Sequence, residues 1–279
     1  MVVERMLPIE YLKQHHLAGF VLGWSYTLFS MVIALYTFPQ DPALVTVGLT
    51  ALLLLPSLGK FSELERSIES TEGNVTFTGI LRANKDFYMT YLAIFFGMFF
   101  VFALFAIILP SLASSRLFET QLAILTGRAF SPGLFMSLIT NNLIVLLACF
   151  FISLIAGNGS IFFITWNASV WGTIFGITAK NAALNLQGNP FILFVLVIIS
   201  VFPHVLLEIS SYILATISGT VISDSLAIDG INNDKFYKVL GYNLVILALA
   251  LGFLLIGGLV EAYAIGNFKV YSLIIQFAR

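Results

Sequence analysis

Long apolar runs, separated by short polar links, constrain this chain more than any other feature. They cover residues 17–38, 43–58, 87–109, 134–156, 161–179, 190–224 and 239–265. A bilayer core about 30 Å thick takes about 20 apolar residues as a helix. In lipid only helices and closed barrels satisfy every backbone donor and acceptor. Barrel strands alternate in polarity over about ten residues, and these runs do not. The expected fold is all-α: a polytopic transmembrane helical bundle of about seven spans. Composition agrees, with 59% hydrophobic and 10% charged residues, against about 25% charged in soluble domains. A formal net charge of −1 excludes a strongly basic nucleic-acid footprint. Membrane lipids are therefore expected partners and nucleic acid is not.

The chain divides into four parts. Residues 1–59 are an N-terminal tail and a transmembrane hairpin turned at Pro39-Gln40-Asp41-Pro42. Residues 60–86 form a charged loop, placed in the cytoplasm, with a short surface helix expected over 62–70. Residues 87–265 are the main bundle, and 266–279 a short amphipathic tail. Within the bundle, 114–126 is too polar to span and reads as an interfacial amphipathic helix. Gly157-Asn158-Gly159-Ser160 reads as a tight turn and 180–189 as a polar link. No small-residue cleavage site follows the tail, so the first helix is expected to stay in place. Asn74-Val75-Thr76 matches a glycosylation sequon, unused on the cytoplasmic side. Cys149 is the only cysteine, so no intrachain disulfide exists. Placing the N-terminus inside puts eight of the thirteen Lys and Arg residues on the cytoplasmic side and five outside. That bias orients the N-terminus to the cytoplasm and the C-terminus outside.

Polar residues inside the apolar runs are the candidates for a site, because charges in a bilayer are expensive. His204 and Glu208 are four apart, so a helix sets them on one face. Pro203 removes a backbone donor just before them. A straight helix over 191–222 would be about 48 Å long, against a core of about 30 Å. The segment is therefore expected to kink at Pro203 or to split there. Asn141, Asn142, Asn167 and Glu261 lie in three other runs. One reading makes these residues a site: a metal held by His204, Glu208 and Glu261, a proton relay, or a catalytic pair. The other makes them a buried hydrogen-bond network that fixes helix packing. Two residues are too few to specify a metal site. The sequence has no Ser-His-Asp order, phosphate-binding glycine loop or His-Glu-x-x-His motif. No catalytic residue and no cofactor is therefore assigned. Gly19-x-x-x-Gly23 and Gly172-x-x-x-Gly176 are spacings that let membrane helices approach closely.

The order of these motifs resembles the stage II sporulation protein M family. The resemblance rests on Asn141-Asn142, then Gly157, then Asn167 with Gly172 and Gly176, then Pro203-His204-x-x-x-Glu208. Phe96-Gly97 and Gly258-Leu259-Val260-Glu261-Ala262 are similar too. It covers roughly residues 81–261, and the N-terminal hairpin and charged loop are more similar to archaeal members. Where the family commonly has glycine after the histidine, this chain has Val205, which removes a point of close approach beside His204. The resemblance implies a non-enzymatic membrane component that recruits cell-wall-degrading partners in spore formers. It therefore implies a scaffold for membrane or envelope proteins, with room for a homo-oligomer. A broken helix with midplane polar residues also fits a transporter or lipid-handling protein. The third alternative is an intramembrane metalloenzyme.

Overall fold

The computed structural model describes residues 15–38, 42–69, 77–109, 118 and 134–267. Seven long helices occur among them: α1 (His16–Thr37), α2 (Pro42–Glu69), α3 (Phe77–Ile108), α4 (Leu134–Ala156), α5 (Ile161–Leu186), α6 (Pro190–Asp229) and α7 (Asp234–Asn267). Six segments are long and apolar enough to cross a membrane, and one of them, Ile139–Leu186, holds both α4 and α5. A single 3-10 turn, Gly157–Ser160, joins those two. Gly157 sits at φ +54°, a left-handed conformation that glycine adopts without a Cβ penalty.

α6 is the hub. It packs most extensively on α7 and α4, then on α5 and α3, while α3 also carries α1 and α5. Asn189 starts α6: its Oδ1 accepts from the Phe191 and Ile192 amides at 2.9 and 3.4 Å. Pro190 at the first helical position costs nothing there, since its missing N–H would have had no helical partner. A continuous apolar core joins α1, α2, α3, α4, α5, α6 and α7. Aromatic rings tie α3 to α6, with Phe96 on Phe202 and Phe99 on Phe194, each at 6.2 Å between centroids.

Glycines set the three closest crossings. On α1, a Cβ at Gly19 would lie 3.1 Å from the Thr90 carbonyl oxygen, and one at Gly23 would strike the Ile94 carbonyl. Gly97 answers from α3 against Phe20 and Trp24. On α5, a Cβ at Gly172 or Gly176 would lie 2.5 Å from the Phe99 oxygen or 2.7 Å from the Ala103 oxygen of α3. Gly219 of α6 presses likewise on Phe150 of α4. Backbones this close gain dispersion contacts that lipid cannot supply.

Several boundaries differ from the sequence reading. α2 does not stop near residue 58; it continues through Pro56 to Glu69, so 62–70 is no separate helix. The added residues are mostly good helix formers, and after Gly59 they hold neither glycine nor proline. α3 begins at Phe77, ten residues before its expected span. α5 continues through Lys180 to Leu186 and ends at Gln187 in the left-handed conformation, φ 51°. The Lys180 ammonium donates to the Leu109 carbonyl just past the end of α3, where a cation suits the negative helix terminus.

α6 does not split at Pro203; one helix runs from Pro190 to Asp229. Proline forfeits one backbone hydrogen bond, but neighbouring helices can hold a membrane helix together across such a gap. Buried Val197 and Val201 grip α6 before Pro203, and buried Val205 and Ile209 after it. The helix expected over 114–126 and the tail beyond residue 267 lie outside the described residues, apart from Phe118, which packs on Phe102.

Candidate functional site

His204 and Glu208 lie one turn apart on α6, with 4% and 5% of their surface exposed. α7 approaches the backbone of this turn at Gly257. A Cβ there would be 3.3 Å from Leu207 Cβ and 3.6 Å from both the Glu208 amide nitrogen and the His204 oxygen. Gly257 is thus the residue whose small size lets α7 lie on this turn. Val205 takes no part in that approach. It points elsewhere, with Val201, against Trp171 and Phe175 of α5. The close approach expected to be lost at Val205 is supplied from the opposite helix.

The other polar candidates go to different places. Asn167 is buried, and its Nδ2 donates to the Phe163 oxygen of its own helix at 2.8 Å. Asn141 donates to Asn142 Oδ1 at 3.3 Å on the exposed side of α4. Their hydrogen bonds tie these asparagines to their own helices, and not to His204 or Glu208. Glu261 is half-buried on α7, one turn beyond Gly257. His204, Glu208 and Glu261 each have interaction partners. Among the described residues, no three His, Cys, Asp or Glu side chains come close enough together to hold a metal ion. The three-ligand metal reading therefore has no geometry behind it here.

A second polar cluster surrounds the 3-10 turn, where the sequence suggested only a connection. Tyr91 of α3 donates to Asn158 Oδ1 at 3.0 Å. Ser153 donates to Ser160 at 2.7 Å, and Ser160 to Thr216 of α6 at 3.0 Å. Thr220 donates to the Gly157 oxygen at 3.3 Å. Ser218 reaches the Asn243 oxygen of α7 at 2.8 Å. Tyr88 and Ser210 add a link between α3 and α6 at 2.7 Å. Every donor and acceptor in these links is neutral. Such links stitch α3, α4, α6 and α7 together.

The motifs that carried the resemblance lie on α3 to α7 and on the turn between α4 and α5. The family model described as stage II sporulation protein M matches residues 17–264, most of the chain. The chain belongs to the stage II sporulation protein M family. The match takes in α1 and α2 as well as the region whose motifs carried the resemblance. No curated protein and no solved structure matches the chain. Within this family member, Gly257 and the Tyr91–Asn158 link are the site features that sequence reasoning missed. Gly257 had a signal in the Gly257-Gly258 doublet one turn before Glu261. The Tyr91–Asn158 link had none, because its partners lie 67 residues apart.

Proposed function

We propose that this multi-pass membrane protein is a non-enzymatic scaffold that gathers membrane or envelope protein partners. One observation carries the reading: the ionisable pair His204–Glu208 is buried within the helical bundle, at 4% and 5% exposure. A transport or catalytic pair must meet water or substrate, whereas a pair closed by helix packing fixes the helices against one another. The ends of α2 and α3 fit the same role. They continue past their apolar stretches as helical stems rich in Lys60, Glu63, Glu65, Arg66, Glu69, Arg82 and Lys85. The charge count places these stems and the N-terminus in the cytoplasm, and the C-terminus outside.

The transporter alternative drew on a discontinuous helix, and α6 is continuous. The test is Glu208→Gln. The carboxamide keeps shape and an acceptor but loses the charge, so a packing role tolerates it in part, while a proton relay or metal ligand does not. Both forms are purified, matched for folded fraction, and compared for partner capture, metal content and flux in liposomes. The scaffold reading expects retained capture in the folded mutant. A stoichiometric metal lost on substitution, or a flux abolished in a fully folded mutant, contradicts it.

A further inference from the structure

α4 shows two different faces. Leu146, Cys149, Phe150 and Ser153 are buried, on the side where α4 packs against α6, α7 and α5. On the opposite side, Asn141, Ile144, Ala148, Phe151 and Ile155 follow one another at spacings of three, four, three and four residues. That is the repeat of a two-helix seam, with every position turned toward one partner. Ile144, Phe151 and Ile155 are 63, 53 and 80% exposed, and Asn141 is exposed as well. Ala148, at the centre, is small enough for a second backbone to come near.

We propose that this stripe is the contact through which two copies of the chain pair, α4 against α4. The amides argue for a second copy over any other occupant. Asn141 lies seven residues into α4, about 10 Å along the helix, where lipid offers its amide no hydrogen bonds. One of its N–H groups donates to Asn142 Oδ1 within the chain. The other N–H and the carbonyl oxygen make no hydrogen bond to the described residues, and Asn141 is exposed. Copies inserted in the same direction can pair only about a twofold axis along the membrane normal. Their α4 helices then run parallel, and residues of equal depth meet. Asn141 meets its own counterpart, each remaining N–H donates to the partner's oxygen, and both amides are fully used. A single asparagine in such a seam also fixes its register.

The full chain with Cys149→Ser, in native membranes, carries single cysteines at Ile144, Phe151 or Ile155. Exposed controls are placed at Ile199 of α6 and Leu259 of α7. Copper-phenanthroline oxidation is expected to give disulfide-linked dimers at the three stripe positions and little at the controls. Asn141→Leu, an exposed change that leaves the melting temperature intact, is expected to weaken self-association measured by energy transfer in vesicles by about three- to twentyfold. Equal dimer at stripe and control positions overturns the proposal. So do adducts at another protein's mass, or monomer alone at every position.

Discussion

Gly23→Ala is the sharpest probe of the helix crossings, provided Gly48→Ala is measured beside it. A methyl at Gly23 would strike the Ile94 carbonyl oxygen and lie 3.0 Å from both the carbonyl carbon and Cα of Ile94. Backbone atoms cannot rotate aside, so α1 must back away from α3. Gly97 makes that retreat costly, because its own hydrogen side nests against Phe20 and Trp24 of α1. Overpacking of this kind costs about 1–3 kcal/mol. Replacing a mid-helix glycine by alanine also returns about 0.8–1.0 kcal/mol of helix propensity. Gly48 in α2 has nothing within 4 Å of a built Cβ, so its alanine variant collects the propensity gain without the clash. The difference between the two variants therefore isolates the crossing. At about 2–4 °C per kcal/mol for a chain of this size, Gly23→Ala should melt several degrees below Gly48→Ala. The assay is intrinsic-fluorescence melting in one detergent at one scan rate. Equal melting temperatures would refute the claim that glycine size sets the α1–α3 distance.

The buried pair and the orientation give two further expectations. His204→Ala and Glu208→Gln, singly and together, should show a coupling of about 0.5–3 kcal/mol in thermal stability, and strict additivity would mean the two side chains do not interact. In the Cys149→Ser background, single cysteines at Ser67 and Ser111 report topology through an impermeant thiol reagent on intact cells. Labelling at Ser111 alone is expected, and labelling at Ser67 alone would invert the orientation.

The helices were legible because lipid leaves the backbone only helices or closed barrels, and long apolar runs without alternation select the helix. Their ends were less so. Hydropathy falls at Gly59 and Lys60, yet α2 continues to Glu69, because leaving the membrane does not by itself end a helix. The paired-glycine spacings pointed to Gly19, Gly23, Gly172 and Gly176, all of which face α3 backbone. Gly97 and Gly219 make equally close approaches without a partner glycine four residues away, since the need for a small residue is set by the neighbouring helix. Asn167 illustrates the opposite error. Its position suggested a bond between helices, but an asparagine can reach the carbonyl four residues back, and Asn167 does so. His204 and Glu208 were legible as a pair through their spacing alone, while Gly257, which approaches their turn, belongs to another helix.

Solvent access to the buried pair tests the central claim most directly. Glu208→Cys in the Cys149→Ser background, in a sample whose melting curve shows it folded, is exposed to small methanethiosulfonate reagents from each side of sealed vesicles. A scaffold whose polar pair is buried within the bundle predicts no modification until the protein is unfolded. Rapid, one-sided labelling of the folded protein would contradict it, because water would then reach the pair as a transport or catalytic cavity requires.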